Sequence, residues 1–176
     1  KQYEFKNAEY VPHIKEAEGN INYQTKIGSY DPQTQEFITY LDSVGVPTIG
    51  YGTTAKSASG FNVKEGQRIP LYVADMALDQ EIGEKLKTVN RRIPSFNILP
   101  EKLRVPMLSS FYRGGFKKAA KEFLDNKEYK ESKKEGSDNS GVALRMEELS
   151  NALLAYDEEI KKAGGGIVMN DPDKNY

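Results

Sequence analysis

Apolar positions follow one rule in the second half of the chain and another near its start. Ala74, Leu78, Ile82, Leu86, Val89 and Ile93 recur at steps of three or four. That spacing predicts one long helix with a single apolar face, ended by Pro94. "PEKLRVPMLSSFYRGG" predicts a second helix, kinked or restarted at Pro106 and closed by Gly114 and Gly115. "FKKAAKEFLDN" predicts a third, with Phe116, Ala120, Phe123 and Leu124 on its apolar side. A charged loop, "KESKKEGSDNSG", supplies Ser140 as N-cap for a fourth helix, "VALRMEELSNALLAYDEEIKK". "AGGG" ends that helix, and "IVMNDPDKNY" reads as an extended tail.

The N-terminal third is different. "NAEYVPHIKEAEG" predicts a short helix, with Tyr10, Ile14 and Ala17 at helical spacing and Gly19 as its stop. From Asn20 to Thr54 the runs "INYQTKIGSY", "QEFITYLDS" and "VPTIGYGTT" carry β-branched and aromatic residues. Turn residues in "DPQ" and "SVG" interrupt them, which predicts a small antiparallel sheet. "AKSASG" is a loop. The order is helix, small sheet, long helix, helical bundle: an α+β chain whose strands are segregated near the N-terminus.

Composition narrows the chemistry. A chain of 176 residues suits one domain, or two small lobes sharing a core. With 38% hydrophobic and 29% charged residues it has the make-up of a globular protein. A net charge of −1 lacks the basic excess of a nucleic-acid binder. No apolar run approaches the ~20 residues that span a bilayer. Lys1 opens no signal-peptide pattern, as in a mature or excised piece. Without cysteine there is no disulfide, thiol nucleophile or thiolate metal site. The single histidine, His13, cannot build a histidine metal site and reads as a helix-surface residue. No "GxSxG" elbow supports a serine triad. Neither a metal nor a cofactor is expected.

Carboxylates remain, and two acids facing each other across a cleft are the usual apparatus of glycoside hydrolysis. Glu18 sits in the last turn of the first helix, where unpaired carbonyls gather partial negative charge, a suitable place for a proton donor. Its ordinary alternative is a solvated helix-end acid. Glu16 is expected to face solvent. Asp42 opens the "DSVG" turn and Thr48 lies six residues on, in a strand. Singly, each is common turn or strand chemistry. Together, an acid and a hydroxyl on neighbouring strands can hold one water. Gly50 and Gly52 remove side chains where a flat ligand would approach the backbone.

A helix ending in Glu-Gly, then an Asp, then "GVPTIGYGT", closely resembles the phage-type lysozymes, glycoside hydrolase family 24. "RIPLYVADMALDQEIGEKL", "MLSSFYRGGF" and "SGVALRMEELSNALL" are similar to later segments of that family, in order, over residues 10 to 160. The resemblance implies a single lysozyme-like catalytic domain over residues 1–176. Residues 20–68 would form a β lobe, 69–93 an inter-lobe helix, and 94–165 a helical lobe packed with the N-terminal helix 7–18. It implies hydrolysis, with inversion, of the β-1,4 bond between N-acetylmuramic acid and N-acetylglucosamine in peptidoglycan. Glu18 would protonate the leaving oxygen, while Asp42 and Thr48 position the attacking water.

Gly52, Thr53, Phe111 and Tyr112 are the implied substrate-binding residues, with Tyr112 the better fit of the two aromatics, and Arg145 is the implied support for the acid. An ion pair within its own helix explains Arg145 equally well. The implied partners are bacterial peptidoglycan and other phage virion or tail proteins. The implied place of action is the host cell wall, at its periplasmic or extracellular face, by an enzyme made in the host cytoplasm or carried on the virion.

Three departures stand out. Thr53 replaces the family's usual histidine after "GYG". The stretch from Glu18 to Asp42 is longer than the family's, most simply through a longer hairpin. Arg113 and Met146 replace the family's usual amide and second arginine. Two other functions fit the same residues: lytic transglycosylase action on the same bond, which needs only the acid, and a non-catalytic module that binds glycan or a virion partner.

Overall fold

The structure, a computed structural model, describes residues 1–93, 96–113 and 140–165. Helices and short antiparallel strands make it an α+β protein, with the strands, among the described residues, within residues 30–70. It divides into two compact units, Lys1–Glu84 and Lys85–Tyr176.

In the first unit, a 3-10 turn at Ala8–Tyr10 leads into α1, Val11–Glu18, which carries a proline in its first turn. Tyr10, Val11 and Ile14 are its buried side. Gly19, at φ 107°, stops the helix directly after Glu18. The next segment corrects the sequence-based expectation. "INYQTKI" is not a strand: Ile21–Ile27 is a helix, α2. Its Ile, Tyr and Thr content favours strands, but its two caps decide otherwise. Asn20 accepts a hydrogen bond from the Tyr23 N–H at its start. At its end Gly28 is left-handed, φ 81°, with Gly28 N–H donating to the Thr25 carbonyl and Ser29 N–H to the Gln24 carbonyl. That pair of bonds is the Schellman arrangement. The longer stretch between Glu18 and Asp42 is therefore a helix followed by a hairpin, and not a hairpin alone.

The hairpin joins β1, Tyr30–Asp31, to β2, Glu36–Ile38. Asp31 turns the chain by accepting from the Gln33 N–H at 2.9 Å. β2 also pairs with β5, Arg68–Pro70, in register Phe37↔Ile69, giving the order β1-β2-β5. Phe37 is fully buried between the rings of Tyr30 and Tyr51, at 4.9 and 5.2 Å. A second, two-stranded sheet pairs β3, Tyr40–Leu41, with β4, Pro47–Thr48. Among the described residues the strands thus form two small antiparallel sheets where the sequence predicted one, and β5 carries no alternating signal long enough to read.

The long helix α3, Leu71–Arg92, has the predicted apolar face, with Ala74, Leu78, Ile82 and Val89 buried. Two acids, Asp75 and Asp79, are buried on the same helix. Asp79 fastens the N-terminal segment. Its carboxylate accepts from Tyr3 Oη at 2.7 Å, Lys6 N–H at 2.9 Å, and Asn7 N–H and Nδ2 at 3.0 Å each. Burial pushes this carboxyl up, but the bonds from Lys6, Tyr3 and Asn7 outweigh burial and hold it below the usual carboxylate range. The bond to Asp79 in turn pushes the Tyr3 phenol up to about 12.

In the second unit, a 3-10 turn at Phe96–Ile98 precedes α4, Glu101–Arg113, a single helix that runs through Pro106 without restarting. Leu103, Met107, Leu108 and Phe111 of α4 are buried, as are Leu149 and Leu153 of the last helix, α5, Ser140–Lys162. α4 packs on α5, and Lys102 Nζ lies 2.6 Å from Glu159 Oε1. Gly164, at φ 81°, follows the end of α5, its N–H donating to the Lys161 carbonyl. The helix expected at "FKKAAKEFLDN", the charged loop, the tail, Pro94 and the glycines at 114 and 115 lie outside the described residues.

Replacing Asp79 by Ala removes four charge-assisted bonds and is expected to cost about 2 kcal/mol near neutrality. Because the folded carboxyl sits below its unfolded value, that stabilisation is complete above the unfolded value and disappears as pH falls through the folded one. Urea unfolding should show the gap between wild type and Asp79→Ala narrowing below about pH 4. A gap that does not change with pH would refute this role for the carboxylate.

Candidate active site

The turn after β4 is closed on itself. Ile49 N–H donates to the Thr53 carbonyl at 2.9 Å and Thr53 N–H to the Ile49 carbonyl at 3.0 Å, looping out Gly50, Tyr51 and Gly52. Both glycines are left-handed, φ 64° and 82°, as so tight a loop requires. Each also meets a neighbour at close range. A methyl at Gly50 would lie 3.1 Å from Ala74 Cβ of α3. A methyl at Gly52 would lie 2.8 Å from Glu18 Oε2 and 3.2 Å from Glu18 Cδ. The Glu18 carboxylate therefore rests on the bare α-carbon of residue 52, which brings the end of α1 to the loop that follows Thr48. Glu18 is half-buried there, whereas Glu16 is exposed and accepts from Asn20 Nδ2.

Asp42 and Thr48 are tied to one residue between them. Asp42 Oδ1 accepts from the Val44 and Val46 N–H groups, 2.9 Å each, which shapes the turn from β3 to β4. Thr48 Oγ1 donates to the Val46 carbonyl at 3.0 Å. The ladder register Tyr40↔Thr48 and Leu41↔Pro47 makes Asp42 and Thr48 diagonal neighbours on one face of the hairpin. Two consequences follow for chemistry. The hydroxyl proton of Thr48 is committed to Val46, so its oxygen presents lone pairs. Oδ1 of Asp42 accepts both backbone bonds of the turn, and Oδ2 takes neither of them. Thr48 is 4% exposed, so any partner it meets is small.

Lys15, one turn before Glu18 on α1, was not singled out by the sequence. Its Nζ lies 2.9 Å from Asp75 Oδ1, an ion contact without hydrogen-bond alignment, and 4.9 Å from the centre of the Tyr51 ring. The Phe5 ring lies on it as well, at 5.1 Å. Tyr51 is buried, and burial first, then the Asp75 charge, pushes its phenol well up. This cluster ties α1, α3 and the loop together beside the Glu18 contact. An open pocket of about 320 Å³ is lined by Lys15, Asn20, Ile21, Asn22 and Tyr51, without Glu18, Asp42 or Thr48 in its wall.

Thr53 is 3% exposed and serves the closure of the loop through its backbone. Phe111 and Tyr112 belong to the second unit. Phe111 is buried under the Arg92 guanidinium, 5.9 Å from its ring centre, and Tyr112 is half-buried. Arg145 lies on α5, and its side chain is outside the described residues. Among the described residues no helix is long and apolar enough to cross a membrane.

An α+β chain with an acid at a helix end, seated on a glycine of a "PTIGYG" loop, is a lysozyme-like protein. The family model described as phage lysozyme matches residues 34–142, more than half of the 176, and the chain belongs to that family. Membership makes it a phage-type enzyme that lyses peptidoglycan in the bacterial cell wall. Asp42, Thr48 and Gly52 lie inside the matched span, and Glu18 precedes it. Comparison with curated proteins and with solved structures gives no match.

Gly52→Ala is expected to lower stability by roughly 1–2 kcal/mol from the left-handed backbone alone, and to displace the Glu18 carboxylate. Thermal unfolding and a crystal structure of the variant would check this. An unshifted carboxylate in a fully stable variant would contradict the close approach described here.

Proposed function

We propose that the chain is a muramidase, hydrolysing the β-1,4 bond between N-acetylmuramic acid and N-acetylglucosamine with inversion, as a single lysozyme-like catalytic domain. Glu18 protonates the leaving glycosidic oxygen. One water bridges Asp42 Oδ2 and Thr48 Oγ1, giving a hydrogen bond to each, so that its lone pair is directed at the anomeric carbon. Asp42 takes the water's proton as the new C–O bond forms.

The observation that supports this reading is the seat of Glu18 on Gly52, four residues beyond Thr48 on the same loop. The shared anchoring of Asp42 and Thr48 to Val46 supports the water-holding pair. A transglycosylase needs the acid but no water site, so a pre-formed carboxylate–hydroxyl pair favours hydrolysis. An inverting displacement also requires room for water between the acids, a separation of ~6.5–9.5 Å. The enzyme opens the host wall for a bacteriophage, as an endolysin or as a component of the virion. Its net charge of −1 provides little electrostatic attraction to an anionic wall, which favours delivery by a larger particle.

Glu18→Gln preserves shape and removes the proton, and is expected to lower peptidoglycan clearing by roughly 10²–10⁴-fold with unfolding unchanged. Full clearing by that variant would overturn the assignment. Wild-type digests should contain muramic acid with reducing ends, and anhydro ends would place the protein among transglycosylases instead.

A further inference from the structure

The structure assigns Gln24 as the positioning residue that sets the general acid against the water-holding strand. Gln24 is the buried residue of α2, 2% exposed on a helix whose Tyr23 and Ile27 are more than half exposed. Its Nε2 donates one hydrogen to the Gly19 carbonyl at 2.9 Å and the other to the Gly50 carbonyl at 3.0 Å. Ser29 Oγ donates to its Oε1 at 3.1 Å. The amide has one tenable orientation, because the reverse would aim its oxygen at two carbonyl oxygens.

The two carbonyls bridged belong to the residues that matter for geometry. Gly19 follows Glu18 and ends α1, so the direction of its peptide fixes where the acid's backbone stops. Gly50 is the second residue after Thr48 and the second before Gly52, the residue on which the acid rests. Both glycines sit at positive φ and have the widest backbone freedom of any residue type. The Lys15 contacts to Asp75 and Tyr51 hold the body of α1 against α3 and the loop, but they act one turn before the acid. Gln24 adds a covalently stiff amide, hydrogen-bonded at both ends, between the acid's helix and the loop. The stretch that makes the Glu18–Asp42 connection long thus contributes a brace inside the site, through a helix that the sequence pattern does not announce.

The inference rests on Glu18 being the proton donor, and its test separates the two. kcat and KM are measured on soluble peptidoglycan fragments for wild type, Glu18→Gln, Gln24→Met and Ser29→Ala, with rates normalised to the folded fraction. Gln24→Met fills the same volume without donors. It is expected to lower kcat by roughly tenfold to a hundredfold, the cost of a small misplacement of a reacting group, with KM changed less than about threefold. Ser29→Ala removes the bond that orients the amide and should lower kcat in the same direction by a smaller factor, which keeps the test decisive if Gln24→Met does not fold. An inactive Glu18→Gln beside brace variants with wild-type kcat per folded molecule overturns the role of Gln24 alone. An active Glu18→Gln overturns the role of Glu18 and with it that of Gln24.

Discussion

A carboxylate resting on a bare α-carbon is the constraint from which the rest of this site follows. The Glu18 side chain occupies the volume that a side chain at position 52 would need. Because that volume is free only where residue 52 is glycine at positive φ, the loop must be as tight as the Ile49–Thr53 closure makes it. The loop is in turn seated on α3, where a methyl at Gly50 would lie 3.1 Å from Ala74 Cβ and press on the helix. Three elements distant in sequence, α1, the β4 loop and α3, thereby converge at close range, and the side chains of Lys15 and Gln24 span between them. Packing at this range leaves little slack, since interiors transmit displacements of even one methylene.

Polar contacts do most of the fastening around that constraint, which is unusual for a chain with an ordinary apolar helix face. Asp79 gathers the N-terminal segment onto α3, Asp75 meets Lys15 of α1, and Gln24 spans Gly19 and Gly50. Each is directional, so each specifies position more sharply than apolar contact can. The Lys15–Asp75 pair lies largely out of water, and the desolvation of two such charges offsets much of their attraction. Its contribution is then to geometry more than to stability. The rings of Tyr51 and Phe5 against the Lys15 ammonium add to that restraint.

The helices α1, α3, α4 and α5 were legible because apolar spacing, or a glycine or proline stop, marks each of them. Glu18, Asp42, Thr48 and Gly52 were legible as candidates because a helix end, a turn and a glycine-rich strand are local features. α2 was not. Its composition favours a strand, and its helical state rests on Asn20 and Gly28 at its ends, with a glutamine as its buried contact. Periodicity is blind to a helix that hides a polar side chain. Gln24, Lys15 and Asp75 were hidden for a related reason: Gly50 lies 26 residues from Gln24, Asp75 is a whole fold segment beyond Lys15, and no short pattern encodes such a pairing. β5 is three residues long, below the length at which alternation can be told from chance.

In the proposed reaction a bound water, held between Asp42 and Thr48, attacks the anomeric carbon from the face opposite the bond that Glu18 protonates. Proton NMR of the first turnovers on a soluble peptidoglycan fragment tests it most directly. Direct displacement at a β-linked sugar predicts that the new reducing end appears as the α anomer and only later equilibrates. The β anomer appearing first would mean a double displacement, and the water site described here would then have no part in the first bond broken.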